Sequence, residues 1–474
     1  MKNKIVVGII ISYLLQVSCK PLKTVEIGKV KNIPETYSST TDSINSANIN
    51  WKHYFSDPHL IALIDEVINN NLDLLKALQK IEIAKAHAQQ SKGVLFPEIK
   101  AGVSSSLRRF GLYTMDGAGN ISTYITPGEI VPIDLPDYYL GLNASWEVDI
   151  WGKLRNKRKA ALARYMSSVE GKNFVVTNLV AETAATYYEL LALDNELEII
   201  KETITLQENA LALITIQKEA AAVNELAVQQ FFAQTLNSKA LEYKTLQKIT
   251  ECENKINFLS GRFPQSVTRD KSQLATKLPF QINVGIPSDL LKNRPDIKQA
   301  EYELIAAKAD VKAAKAAFYP SLNITGAMGL QAFKTDFLFT TPESMAYTLL
   351  GSLMAPLINR NAIKAEFRNA NAKQQDALYN YQKSILNGYI EVYNETARIK
   401  NWGKVVELKS QEATTLSQSI QTSSELFRTG RATYVEVLMT QKGSLESKLE
   451  LINAMQQQYI SIINIYKALG GGWK

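Results

Sequence analysis

Two spacings of apolar residues alternate along this chain, and twice the switch from one to the other falls at an aromatic–proline pair. From His59 to about Lys92, Leu60, Leu63, Ile64, Val67, Ile68, Leu72, Leu75 and Leu78 recur three or four apart, the spacing of one helix face. Asp57–Pro58 ahead of them suits a helix start, a cap followed by proline in the first turn. In GVLFPEIKAGVSSSL (residues 93–107), Pro97 stops that helix and pushes its predecessor to extended backbone. The period then becomes two, with Ile99, Ala101, Val103 and Leu107 on one side and Glu98, Lys100, Gly102, Ser104 and Ser106 on the other. A polar, turn-rich segment follows, TMDGAGNISTYITPGEIVP, and then a second alternating run, LGLNASWEVD, ends at Asp149. Helical spacing resumes after Gly152 and continues without proline to about Lys218, a stretch that would be ~100 Å long as one helix. A break at EAAAVNELAV turns the chain into a shorter helix ending at FLSGRFP.

The second half repeats the programme. A helix runs from IPSDLLKNRPDI, with Ser288 as its expected cap, to Phe318; Tyr319–Pro320 then opens AAFYPSLNITGAMGL (residues 316–330) into a strand, as Phe96–Pro97 does upstream. A loop, the strand-like AYTLLGSLMAP and a long helix from about Asn361 to Thr429 follow. The break RTGRATYVEV mirrors the one at Ala221, and the last helix carries the stripe Leu445, Leu449, Ile452, Met455, Tyr459, Ile462, Tyr466 and Leu469. The chain therefore reads as two copies of one unit: helix, β-hairpin, very long helix, shorter helix. The divisions expected are a signal peptide at 1–18, a tether or surface strap at 19–50, repeats at 51–264 and 287–474, and a connecting segment at 265–286.

Two hairpins supply four strands, each apolar on one side and small or polar on the other. A soluble sandwich shows that pattern too. Here the strands are flanked by helices too long to fold back over so small a sheet. Aromatics also gather near the strand ends: Phe110, Tyr113, Tyr138, Tyr139, Trp151, Phe318, Tyr319 and Phe333. Alternating strands between aromatic girdles are the pattern of an outer-membrane barrel. Four strands cannot close one, because their edge groups would face lipid unsatisfied. Two copies would give eight strands with a filled interior, and three would give twelve with room for a lumen, the better arrangement for a conduit. The fold class expected is mainly α with a transmembrane β-barrel contribution, a trimer making a twelve-stranded barrel and an α-helical periplasmic tunnel. A soluble coiled coil would account for the helices and leave the paired hairpins unexplained.

Composition narrows the rest. IVVGIIISYLLQVS (residues 5–18) is the one long apolar run, follows Lys2 and Lys4, and is short of the ~18–20 residues a spanning helix needs. It has the form of a secretory signal. The ending VSC makes Cys19 a candidate lipidation site, although Gln16 stands where such signals carry leucine. Removing residues 1–18 takes away Lys2 and Lys4 and no acid, so the net charge of +7 becomes +5. With 53 basic and 46 acidic residues interspersed, no nucleic-acid partner is expected. Cys252, the other cysteine, lies on the apolar stripe Ile249, Cys252, Ile256, Leu259 and reads as a core residue. His53, His59 and His87 have no metal-ligand spacing, and no phosphate loop, dinucleotide fingerprint or nucleophile elbow occurs. No enzyme and no cofactor is expected.

The runs WEVDIWGKLRNKRKAA, IPSDLLKNRPDIKQAEYELIAAKADVKAAKAAFYPSLNITG and TGRATYVEVLMTQKGSL with the tail IYKALGGGW resemble the outer-membrane efflux proteins, TolC-like exit ducts, in their lipoprotein branch. The similarity covers about residues 51–474. It implies a homotrimer in outer-membrane lipid, anchored through Cys19, that docks to a periplasmic adaptor and an inner-membrane pump, commonly of the proton-driven RND class. It also implies that the turns joining long and short helices form the periplasmic tip. Adaptor-facing positions then map to Ala221, Asn224, Arg428, Gly430 and Arg431, and a closing iris to Val435, Glu436 and Met439. Where the family often carries two acids in this stretch, VEVLM keeps one, Glu436. Three copies of Glu436 around an axis would repel and raise its pKa; the alternative is a solvated helix residue. The function implied is passive conduction of drugs or other small solutes. The alternatives are an exit duct for a secreted protein, or a lipid-anchored coiled-coil scaffold without a pore.

Overall fold

The computed structural model describes residues 34–37, 45–275, 283–356 and 360–474. Residues 1–18 and Cys19 lie outside them. The helices are α1 (Trp51–Tyr54), α2 (Pro58–Asn70), α3 (Leu72–Gly93), α4 (Met115–Ser122), α5 (Lys153–Glu219), α6 (Glu225–Leu259), α7 (Leu290–Asn293), α8 (Pro295–Ala316), α9 (Thr335–Leu338), α10 (Asn361–Arg428) and α11 (Tyr434–Ala468). The strands are β1 (Glu98–Arg109), β2 (Tyr124–Thr126), β3 (Glu129–Ile130), β4 (Asp134–Val148), β5 (Ser321–Ala332) and β6 (Met345–Met354). The long helices α5 and α10 have 67 and 68 residues, and the short ones that follow them have 35 each. That equality is what a duplicated unit requires.

Three local expectations change. The helix from His59 to Lys92 is two helices, because Asn71 ends α2 in extended backbone and caps α3. Its Oδ1 accepts from Asp73 N at 2.9 Å and Leu74 N at 3.0 Å, and its Nδ2 donates to Leu259 O at 2.8 Å. Apolar periodicity runs straight through the joint, so only the Asn69–Asn71 run marked it. Ser288 does not cap the long helix: it lies in a 3-10 turn, Pro287–Asp289, and α8 starts at Pro295. Proline is favoured at that first position and holds Arg294 in extended backbone (φ −82°, ψ 116°). The turn-rich segment of the first hairpin is also more ordered than a plain loop. Thr114 accepts from Gly117 N to start α4, and β2 and β3 pair around Gly128 (φ 91°).

The chain divides into two compact units. One (residues 83–165 and 302–379) holds a four-stranded antiparallel sheet in the order β1-β4-β5-β6. Register aligns like residues across much of the sheet. Ala101, Leu142, Met328 and Tyr347 lie in one row, as do Val103, Leu140, Leu330 and Met345. The opposite face carries rows such as Gly102, Gly141, Gly329, Ala346 and Lys100, Asn143, Ala327, Thr348. In the same unit helix ends pack through small residues, Ala160 and Ala163 of α5 against Ala306 and Ala309 of α8. On the other side of α8, Val311 and Ala314 meet Phe367 and Ala370 of α10.

The other unit (residues 30–82, 166–301 and 380–474) has the main core. Leu60, Ile64 and Val67 of α2 pack with Tyr187, Leu190 and Leu191 of α5, Ile256 of α6 and Tyr466 of α11. Asp57, itself buried, caps α2 by accepting from His59 N at 2.8 Å and also accepts from Tyr187 Oη at 2.7 Å. Cys252 is buried in that core and donates to Thr186 O, and burial pushes its thiol up to about 12. Residues 45–48 lie against the connecting segment: Ser46 N donates to Asn283 O, and Asn45 bridges Val284. Tyr37 stacks on Tyr389, with ring centroids 5.2 Å apart.

Candidate functional site

Two places carry the sequence-predicted chemistry: the sheet and the helix turns. On the sheet, the apolar face is open, with Val103 and Leu349 each 79% exposed, and β1 and β6 have no partner beyond them among the described residues. A row of exposed valine, leucine and tyrosine costs free energy in water at about 25 cal/mol per Å² of apolar surface and none in lipid. The polar face approaches closely at Gly141, where a Cβ would come within 2.5 Å of Met328 O. Tyr139 lies over that glycine and donates to Leu142 O at 3.2 Å.

Aromatics mark both ends of the sheet, with two exceptions. Trp151 stacks on Tyr319 (4.9 Å between centroids) at the helix-side end, where Trp151 Nε1 donates to Pro320 O at 2.8 Å. Phe110, Tyr113 and Phe333 follow the far ends of β1 and β5. Tyr138 and Tyr139, expected in a girdle, sit within β4 opposite Ser105 and Ser104. The start of α5 is fixed by Asp149. Its Oδ1 accepts from Leu154 N at 2.9 Å, and its Oδ2 from Arg155 N at 2.8 Å and Arg155 Nε at 3.1 Å. Partial burial alone would raise this carboxyl, but those donors outweigh it and hold the group below the usual carboxylate range.

The two turns between long and short helices share one construction. After α5, Ala221 takes a left-handed φ of 53°, Ala222 N donates to Gln217 O, and Asn224 caps α6 by accepting from Ala227 N at 3.1 Å. After α10, which ends at Arg428, Gly430 takes φ 69°, Arg431 N donates to Leu426 O, and Thr433 caps α11. This is the same helix-ending motif used twice. The turns come together over one small core of Ile214, Ala227, Phe231 and Val437, with Val223 and Tyr434 packed against it.

The sequence-predicted residues fall into two groups around that core. Ala221, Asn224, Arg428, Gly430 and Arg431 are exposed at the turns. Val435 and Met439, one helical turn apart, are 44% and 60% exposed. Glu436 has a role missed in the sequence. With Thr433 it forms a capping box, its carboxylate accepting from Thr433 N at 2.6 Å and from the hydroxyl at 2.9 Å. Those hydrogen bonds, the backbone one foremost, hold its pKa below the usual range within one chain. The T-x-x-E spacing carried that signal. The first turn offers Leu226, exposed, at the position equivalent to Val435. Neither region brings together a nucleophile, a base or a set of metal ligands among the described residues.

A family model described as outer membrane efflux protein matches residues 63–262 and 286–471, most of the chain, in two segments. The chain belongs to the outer membrane efflux protein family. It is an outer-membrane channel protein of efflux, not an enzyme. A probable outer membrane lipoprotein of Salmonella typhimurium, SilC, is 27% identical over 93% of this chain and 93% of its own length. The toluene efflux pump outer membrane protein TtgI of Pseudomonas putida is 29% identical over 91% of this chain and 89% of its own. The open state of the Neisseria gonorrhoeae MtrE outer membrane channel matches in fold with a TM-score of 0.82, at 22% identity, over 96% of this chain and 99% of that one. The efflux protein thus has the strand-and-helix fold of a known outer-membrane channel.

Proposed function

We propose that three copies of this chain close a twelve-stranded barrel continued by an α-helical periplasmic tunnel, and that the tube passively conducts drugs or other small solutes. The observation that carries this reading is the open four-stranded sheet. In order β1-β4-β5-β6, β1 and β6 run in opposite directions, so β6 of one copy can pair antiparallel with β1 of the next. Repeating the join round a ring removes every edge and turns all apolar faces to lipid. The exposed Leu206, Leu213 and Ile216 of α5, with Phe232, Leu236 and Tyr243 of α6, suit the same self-association along the helices.

In this reading the two helix turns form the tip that meets a periplasmic adaptor and an RND-type inner-membrane pump. Ala221, Asn224, Arg428, Gly430 and Arg431 face the adaptor, and Val435 and Met439, with Leu226, narrow the opening. Glu436 acts by fixing the first turn of α11 beneath them. The likeness to a lipoprotein, SilC, and the VSC sequence support acylation of Cys19. Relatives described as toluene and cation efflux proteins favour small solutes over a secreted protein.

Purified full-length protein run unboiled in SDS and inserted in planar bilayers tests the assembly. An SDS-resistant trimer that conducts is expected, and a lone, non-conducting subunit overturns it. Glu436→Ala is expected to change single-channel conductance or ion selectivity; no change in either removes that residue from the gate. Labelling with radioactive fatty acid, with Cys19→Ser as control, tests the anchor, and hypersensitivity of a deletion strain to toxic compounds identifies the solutes.

A further inference from the structure

We propose that the helix ends beneath the Trp151–Tyr319 pair form a cationic belt that binds the phosphates of anionic phospholipid in the inner leaflet of the outer membrane. This rests on the outer-membrane channel reading and adds a ligand to it. The first seven residues of α5, KLRNKRK, contain five lysines and arginines, and no acid occurs between Asp149 and Glu170. Two of the five are spent locally: Lys153 pairs with Glu147 and Arg155 with Asp149. Lys157, Arg158 and Lys159 pair with no acid among the described residues, and Lys157 and Lys159 are exposed.

Neighbouring helices bring more cations to the same level. The Ala160–Ala309 and Phe367–Ala314 packing lays the end of α8 between the starts of α5 and α10. Lys315 of α8 and Lys364 and Arg368 of α10 are exposed and without an ion pair among the described residues, with Glu366 the one acid between Arg360 and Asp376. Cations at the start of a 67-residue helix oppose its macrodipole, so local stability does not account for them. What accounts for them is position. At a rise of about 1.5 Å per residue, Lys157–Lys159 lie roughly 9–12 Å from Trp151, the depth of lipid headgroups below an aromatic girdle. Long cationic side chains at that depth reach phosphate, and each adds to attraction for an anionic surface.

The full-length protein in a neutral detergent, titrated separately with phosphatidylglycerol and phosphatidylethanolamine, tests the belt through the shift in its melting temperature. Phosphatidylglycerol is expected to stabilise the wild type and phosphatidylethanolamine to leave it unmoved, with the difference lost at high salt. Lys157→Gln/Arg158→Gln/Lys159→Gln is expected to weaken the phosphatidylglycerol response on the order of a hundredfold in concentration. Without lipid it should melt at or above the wild type, because the macrodipole is relieved; Lys364→Gln/Arg368→Gln should weaken the response by less. Equal response of wild type and triple variant to phosphatidylglycerol, or equal response of the wild type to both lipids, overturns the belt. So does a triple variant with altered ion selectivity in planar bilayers and an intact lipid response, which would place these cations in the lumen. A wild type that binds phosphatidylglycerol selectively yet never conducts would strike the channel assembly and leave the belt standing.

Discussion

Replacing Arg294 by alanine should loosen the junction between α7, α8 and the end of α11 more than any other single charge removal in that unit. Arg294 is 5% exposed. Its Nε and one terminal nitrogen grip Asp296 at 3.0 and 2.7 Å, and the other terminal nitrogen donates to Glu391 at 2.6 Å and to Ala468 O at 2.8 Å. Its side chain lies against Gly388, where a Cβ would come 3.1 Å from Nε and oblige the guanidinium to give by a few tenths of an ångström. Burial alone would lower the guanidinium's pKa, and Asp296 and Glu391 more than offset it. Removing one member of a buried ion-pair network costs about 3–5 kcal/mol. Glu391 is half exposed and its share is screened, which places Arg294→Ala near the lower end, about 3 kcal/mol. Glu391→Gln should cost less than about 1 kcal/mol on the same ground. Arg294→Lys should recover only part of the loss, because an ammonium cannot hold Asp296 side-on.

A chain of two compact units need not unfold in two states, so local hydrogen exchange is the suitable assay. Amides at Ile465–Leu469 and at Lys298, which donates to Arg294 O, should exchange on the order of a hundredfold faster in Arg294→Ala, the factor that about 3 kcal/mol corresponds to. Exchange within about threefold of wild type, or a Glu391→Gln effect equal to that of Arg294→Ala, would refute the reasoning.

Tyr187→Phe leaves buried Asp57 without its 2.7 Å donor and should cost about 1–3 kcal/mol, seen as faster exchange across α2. Ala221→Gly removes a left-handed alanine (φ 53°) and should stabilise the first turn by about 1 kcal/mol; slower exchange at residues 220–222 is the check, and unchanged exchange counts against strain there. Asp149, whose pKa is depressed, contributes stability above the ordinary carboxylate range and loses it as pH falls through its folded value. The start of α5 should therefore fray in acid in the wild type, whereas Asp149→Asn should fray at neutral pH with little further change on acidification. Cys252, buried with its thiol pushed up to about 12, should resist maleimide at pH 8 until the protein is denatured.

Much of this architecture was written in local spacing. Period-two runs at Ile99–Leu107 and Leu140–Val148, the stop at Pro97 and its echo at Pro320, and the helix breaks near Ala221 and Gly430 depend only on near neighbours, so these elements are legible from sequence. Local chemistry that hid inside a stronger pattern was not: Asn71 split a helix whose apolar stripe never paused, and Pro295 took the start assigned to Ser288. Glu436 was read for its charge, while its partner lay three residues back at Thr433. Tertiary structure alone decided what depends on residues far apart in the chain. It set the strand order that joins β4 to β5, the stacking of Trp151 on Tyr319, the burial of Asp57 under Tyr187, and the gathering of Asp296, Glu391 and Ala468 around Arg294. Periodicity records which face of an element is apolar. The partner for that face is chosen by packing and hydrogen-bond geometry across hundreds of residues, which no short window of sequence contains.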